Sequence, residues 1–311
     1  MRAPLQESCY QRLSAAMACL PESWLARLAS LLAWVLYRGL HIRRSVVQRN
    51  LAIAFPRASV ATRELTALES FRSCILTALE TIGAGARDAS ASVDLLGREH
   101  LDAALAQGRG CLVLCIHTGN WETLAGAVSR KVAPTHVVVK RIRNRHLDSY
   151  LTWLRAKLGY VAIPSDAGAG VYIRIARALR ANEIVGFVMD QYQPGAPALP
   201  CFGVTTKTNP GLATIWRRTG APVVPIVIER LSPYRHVATV WPALGLERTA
   251  DSGRDILAAT AHFNHVMERM ILCCPEQYFW LHDRWKWKRR EPQTARPDTA
   301  PPPRTAAMPA S

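Results

Sequence analysis

From residue 93 onward the chain alternates short, unbroken apolar runs with stretches of helical period, and no other feature restricts its fold as much. "GCLVLCI" (110–116) leads through a brief turn into "NWETLAGAVSRK". "THVVVKR" (135–141) leads into "RHLDSYLTWLRAKLG", whose Leu147, Leu151, Leu154 and Leu158 share one helical face. "YVAIP" (160–164), "EIVGFVMD" (183–190) and "PVVPIVIER" (222–230) repeat the theme, separated by "VYIRIARALRANE" and "PGLATIWRRTGA". A strand that is apolar at every position must be covered on both faces, and helical crossovers supply that cover. The expected class is therefore α/β: a mainly parallel central sheet flanked by helices, with an N-terminal helical extension.

That extension covers residues 1–85 and carries little strand character. Leu25, Leu28, Leu32 and Val35 recur near helical spacing, "VVQRNLAIAFP" ends at Pro56, and a second helical pattern runs from Thr62 until Gly83 and Gly85 break it. The segment from Leu28 to Tyr37 is strongly apolar, yet Arg27 and Arg38 bracket it at ten residues, short of the roughly 17–25 that span a bilayer. Trp24, Trp34 and Tyr37 suit an interface and the arginines can snorkel, so a helix lying on or dipping into a membrane is expected, with a buried core helix as the alternative. Pro21 and Glu22 interrupt the early apolar stretch, which disfavours a cleavable signal peptide. The α/β domain is expected over residues 86–290, closing with a helix over 254–273. The Pro-, Ala- and Thr-rich remainder, 291–311, has nothing to pack and reads as a disordered tail.

At 49% hydrophobic and 20% charged residues the chain is a folded protein with a substantial core. Thirty-nine Lys and Arg against 23 Asp and Glu leave +16, which attracts acidic proteins, anionic headgroups or nucleic acid. "KRIRNRH" and "RWKWKRR" favour a basic binding protein without catalysis, but no nucleic-acid fold signature accompanies them and no nucleic-acid partner is expected. The eight cysteines contain no CxxC pair, so a reducing compartment is read, with Cys111 and Cys115 as small core residues. His262 and His265 have no companions at ligand spacing, and no metal is expected.

In an open parallel sheet the site lies beyond the carboxyl ends of the strands. Those ends deliver His117, Lys140 with Arg141, Asp190 with Gln191, and Glu229 with Arg230. In "HTGNWE" (117–122), His117 leaves a strand, Gly119 permits a tight turn, Asn120 suits a helix N-cap, and Glu122 falls in the first helical turn, where the dipole favours a carboxylate. Glu122 then either only serves the helix or reaches back to one imidazole nitrogen, leaving the other to take a proton from a hydroxyl.

These residues resemble the lipid A biosynthesis acyltransferases, the lauroyl and myristoyl transferases within the glycerolipid acyltransferase superfamily, whose mark is a His, four residues, then Asp or Glu. "RNLAIAFP" (49–56), "MDQ" (189–191), "FGVTTKTNPGLATIWRRTGAPVVP" (202–225) and "PEQYFWLHDRWK" (275–286) are similar to further blocks of that family, in the same order. The resemblance implies direct transfer of a fatty acyl chain from acyl carrier protein, as co-substrate, to a hydroxyl of a lipid A precursor at the cytoplasmic face of the inner membrane. His117 would be the general base and Glu122 its orienting carboxylate, with no covalent intermediate, in keeping with the absence of a "GxSxG" elbow. Arg155 would stabilise the thioester oxyanion or hold acceptor phosphate, with Arg141 its rival. Asn120, Asp190 and Gln191 complete the expected binding residues, the last two positioning the acceptor or His117. Acyl carrier protein, an anionic glycolipid and a membrane surface are the implied partners. A phosphatidylinositol mannoside or lysophospholipid acceptor would keep the chemistry, and a hydrolase would direct it at water.

Overall fold

The computed structural model describes residues 2–87 and 92–286, with side chains from residue 7; the expected tail at 291–311 lies outside them. Among the described residues nine strands form, in chain order: β1 Val93–Leu96, β2 Cys111–Cys115, β3 Thr135–Val139, β4 Val161–Pro164, β5 Ile184–Val188, β6 Ala198–Cys201, β7 Val204–Lys207, β8 Val223–Ser232 and β9 Arg235–Val240. Seven of them make one sheet in the order β1-β9-β8-β2-β5-β3-β4, while β6 and β7 pair separately. Every neighbouring pair in the large sheet is parallel except β8 with β9. That exception has a local cause, because only two residues, Pro233 and Tyr234, separate β8 from β9, and a parallel return would need a crossover of a dozen or more.

Among the described residues four α-helices precede the sheet: α1 Arg2–Ala18, α2 Glu22–Trp34, α3 Arg44–Ala54 and α4 Val60–Ala84. Six more cover it: α5 Arg98–Leu105, α6 Trp121–Lys131, α7 Arg145–Leu158, α8 Ala169–Arg180, α9 Gly211–Thr219 and α10 Ser252–Cys273. Alternate residues of the central strands feed opposite cores, as the two-residue period of a strand requires. Leu112, Leu114, Ile116, Val185 and Phe187 pack with the N-terminal helices and with α8, α9 and α10. Cys111, Val113, Cys115 and Ile184 pack on the other side with Leu101 and Ala104 of α5 and Leu124, Ala127 and Val128 of α6.

In α2 the buried stripe is Leu25, Ala29 and Ala33, continued by Tyr37 in a π-helical turn; of the apolar residues recurring at helical spacing, Leu25 is buried, Leu32 and Val35 are half-buried and Leu28 is exposed. Small residues at helical spacing let α2 approach α4 closely, and the opposite face, with Trp24, Leu31 and Trp34, stays exposed although it is equally apolar. Among the described residues no single helix is long and apolar enough to cross a membrane. Glu7–Ala18 and Glu22–Gly39 together carry the length and composition but are bent by 98° at their break.

Two segments far apart in the chain meet beneath the sheet edge. Asn50 of α3 donates to the carbonyls of Trp280 (2.9 Å) and His282 (2.7 Å), and Arg49 pairs with Asp283 at 2.7 Å. Ser70 of α4 donates to the carbonyl of Tyr278 at 2.6 Å. The "RNLAIAFP" and "PEQYFWLHDRWK" blocks therefore clasp each other and frame the carboxyl ends of β2 and β5.

Candidate active site

Register decides which strand-end residues meet. Cys115 of β2 lies opposite Val188 of β5, so His117 and Asp190, each two residues further on, emerge side by side. His117 Nδ1 sits 2.7 Å from Asp190 Oδ1, and the His117 backbone N–H donates to Oδ2 at 3.3 Å. The imidazole is flanked by Trp121 at 4.9 Å and Phe279 at 6.0 Å between ring centres. Phe279 N–H donates to the His117 carbonyl at 3.0 Å. With Nδ1 engaged, Nε2 is the nitrogen left to act on a ligand. Burial would push the Asp190 carboxyl up, but the charge and hydrogen bond of His117, with Arg284 behind, outweigh it and hold it below the usual carboxylate range.

The expectation that Glu122 orients the imidazole gives way here. Glu122 accepts from Arg155 through both oxygens, Nη2 to Oε1 at 2.7 Å and Nε to Oε2 at 3.1 Å, and the Tyr160 hydroxyl donates to Oε2. A fork of this kind occupies the carboxylate bidentately, so the hydrogen bonds of Glu122 go to Arg155 and Tyr160, and its link to His117 is through charge alone. Burial works against the Glu122 charge, yet Arg155 holds the carboxyl low; burial and then the Glu122 charge push the Tyr160 hydroxyl well up. Tyr160 carried no warning in the sequence, because it stands as the first residue of an apolar run.

Asn120, expected as a binding residue, is not among the residues that line the slot. Its side chain is fully buried, accepts from Thr123 N–H as the N-cap of α6, and donates to Glu80 Oε2 at 3.1 Å. Gln191 does line the site, and its carbonyl accepts from Arg284 Nη1 at 2.6 Å. Arg141 stands exposed, 3.4 Å from an equally exposed Asp166, whereas Arg155 is mostly buried. Lys140 borders the site. Among the described residues no cluster of three or more His, Cys, Asp or Glu side chains could hold a metal.

The turn carrying His117 is anchored from beneath by a buried ion pair that the sequence did not announce. Glu80 of α4 and Arg230 of β8 meet through Nε to Oε1 at 2.8 Å and Nη2 to Oε2 at 2.9 Å. Arg230 also donates to Ser73 and Thr77, and the Thr77 hydroxyl donates to the Gly119 carbonyl at 2.5 Å. His236 Nε2 lies 3.3 Å from Glu80 Oε2. Despite burial, His236 and Arg230 bring the Glu80 carboxyl down to about 2. Gly119 itself is at φ +49, and a Cβ there would fall 2.7 Å from the Ile228 carbonyl oxygen, so no other residue fits the turn without shifting β8.

His117, Glu122 and Arg155 border a cavity of about 360 Å³ between the sheet and α6. Lys140, Gln191, Thr135 and Tyr160 also border it, and most of the remaining wall is apolar: Val113, Cys115, Val137, Val188 and Ile226 from the strands, and Leu124, Ala125 and Val128 from α6. The slot is within the size range of ligand pockets, is largely apolar and carries an oriented imidazole and a cation, so it can hold an apolar ligand beside a proton acceptor. The family of bacterial lipid A biosynthesis acyltransferases matches residues 6–287, and the chain belongs to it. Over 274 residues the chain is 28% identical to the lipid A biosynthesis lauroyltransferase of Escherichia coli K12, covering 86% of this chain and 87% of that one. Over 251 residues it is 27% identical to the palmitoleoyltransferase of the same organism, covering 78% and 79%. A phosphatidylinositol mannoside acyltransferase of Mycobacterium tuberculosis H37Rv is 28% identical over 132 residues, 42% of each chain.

Proposed function

We propose that this protein transfers a fatty acyl chain from an acyl carrier protein thioester to a hydroxyl of a lipid A precursor, with His117 as general base and Asp190 as the carboxylate that orients it. The observation that carries the reading is the His117–Asp190 pair at a 360 Å³ apolar slot in a chain of this family. His117 Nε2 takes the proton of the acceptor hydroxyl as its oxygen forms a bond to the thioester carbonyl carbon. Negative charge moves to the carbonyl oxygen, and Arg155, a cation that lines the slot and gives Nε and Nη2 to Glu122, is the group assigned to that oxygen through Nη1. When the intermediate collapses, the carbon–sulfur bond breaks and the thiolate leaves with the proton held on Nε2. The imidazolium formed in between is stabilised by Asp190, and no covalent enzyme intermediate is required.

Acyl carrier proteins are acidic, and the exposed Lys140, Arg141, Arg143 and Arg145 offer a cationic approach beside the slot. The exposed apolar face of α2 fits a protein working at the cytoplasmic face of the inner membrane. Supplying the purified protein with labelled acyl–acyl carrier protein and, in parallel, a lipid A precursor, a phosphatidylinositol mannoside and a lysophospholipid tests the reading. Label entering the lipid A precursor is the expected result; free fatty acid with no acylated lipid would replace transferase by hydrolase, and label in another lipid would move the acceptor.

A further inference from the structure

The floor of the slot is laid in rows across three strands. Cys115 pairs with Val188 in one row, and in the next, deeper row Val113 of β2 and Val137 of β3 both pair with Gly186 of β5. A third row sets Cys111 and Thr135 beside Ile184. At the centre of the middle row the side chain is missing. Nothing in the backbone calls for glycine at that position: Gly186 has no positive φ. A Cβ placed there would meet only the Val137 Cγ2 at 3.6 Å and the His136 carbonyl oxygen at 3.7 Å, ordinary contact distances. Glycine inside a strand weakens it and commonly marks close approach of a ligand. Gly186 and both of its row partners border the cavity. At about 3.3 Å per residue, the row through Val113 lies roughly 13 Å down the strand from His117, so an extended chain entering at the imidazole passes over Gly186 on its way to the third row.

We propose that the absent side chain of Gly186 sets the depth of the slot and so the longest acyl chain the protein accepts. The assignment rests on the acyl-transfer reading above. Any side chain at 186 would stand up from the floor between Val113 and Val137 and close the slot one row short. Long chains would lose their place while short ones kept theirs. The discrimination is apolar, and one methylene that no longer fits is worth about tenfold or more in kcat/KM.

The test takes Gly186→Ala, Gly186→Val and Gly186→Leu, each assayed with saturated acyl–acyl carrier protein thioesters of stepwise increasing length and followed by urea unfolding. Expected is a graded fall in the preferred length from Ala through Val to Leu. The ratio of kcat/KM for the longest donor to that for a short one should drop at least about tenfold in the Val variant, with the short-donor rate retained. Ala and Val are expected to keep the wild-type unfolding midpoint or raise it, which holds the question open to measurement even should Leu overfill the site. An equal loss for every donor, or an unchanged length profile in the folded Val variant, overturns the role of Gly186 while leaving acyl transfer intact. Wild-type protein that acylates no lipid with any donor overturns acyl transfer itself, and the length assignment with it.

Discussion

An imidazole can take a proton from a hydroxyl at Nε2 only while its other nitrogen carries the hydrogen, and Asp190 is placed to select that tautomer. Its oxygens receive both the Nδ1 side of the ring and the His117 backbone N–H, so ring and turn are fixed by one carboxylate. Asp190→Asn keeps the shape, but its amide group turned toward Nδ1 favours the wrong tautomer. We expect kcat to fall about a hundred- to ten-thousandfold with the unfolding midpoint little changed; a loss under tenfold in steady-state kinetics would remove Asp190 from this role. Glu122 and Arg155 form a unit of a different kind, since each exhausts much of the other's capacity. Removing either should leave the partner misdirected, so Glu122→Ala, Arg155→Ala and the double variant are expected to lose similar activity. Coupling above about 1 kcal/mol in that cycle is the predicted reading, and additive losses would separate the two. The sequence brought His117, Asp190 and Arg155 forward, with Asp190 expected to position either the acceptor or His117, and gave the orienting role to Glu122. Five positions along the chain make a neighbour, whereas the Asp190 contact spans 73 and depends on a strand register that no local pattern encodes.

Helix α4 reaches from the N-terminal extension to the underside of the His117 turn, and it does so through a charged side chain with no exposure. Arg230 donates two hydrogen bonds to Glu80 and further ones to Ser73 and Thr77. Deleting one charge strands the other, a loss that runs to about 3–5 kcal/mol for buried pairs, whereas replacing both by apolar side chains of similar size removes the penalty. Arg230→Met is therefore expected to lower stability steeply in urea unfolding, and Glu80→Leu combined with Arg230→Met to recover much of it. A double variant as unstable as the single one would show that packing, not charge, holds this joint. Most of the strand and helix alternation of residues 110–230 was legible because its strands are unbroken apolar runs and its helices keep one period; the β6–β7 hairpin inside that span was not. Strands β1 and β9 were not. Val93–Leu96 is four residues long and Arg235–Val240 mixes Arg and His with its valines, and both owe their place to pairing with an established sheet edge. The buried face of α2 was not legible, because a helix apolar on two faces gives periodicity no means of telling which face the protein keeps.

Acid acts on the molecule through groups buried in one charge state. Burial, with Arg284, His117 and Lys286 nearby and only Asp190 opposing, lowers His282 to about 4, and its Nε2 accepts the Tyr192 N–H at 2.9 Å. Unfolded histidine titrates near 6.5, so between about pH 6.5 and 4 the unfolded chain takes up a proton that the native chain refuses. Stability from this group is thus complete above about 6.5 and drains as pH falls toward 4. Asp190 and Glu80, both held below their unfolded values, add a second loss at still lower pH. His282→Gln should flatten the first window in urea midpoints measured against pH and leave the second in place; a slope unchanged by the substitution would assign the acid loss elsewhere. The opposite consequence of folding lies outside the core, where Trp24, Leu31 and Trp34 are each more than half exposed on one face of α2, in a chain carrying +16. Burying one such side chain is worth about 1.5–3 kcal/mol, or roughly ten- to a hundredfold in partitioning, while the net charge adds attraction that salt can screen. Leu31→Glu with Trp34→Glu is accordingly expected to weaken sedimentation with anionic vesicles by at least about a hundredfold. Raised salt should weaken the wild type only in part, because the apolar contribution does not screen. Vesicle binding that survives the double substitution, or vanishes wholly with salt, would place the membrane contact on the basic surface instead of α2.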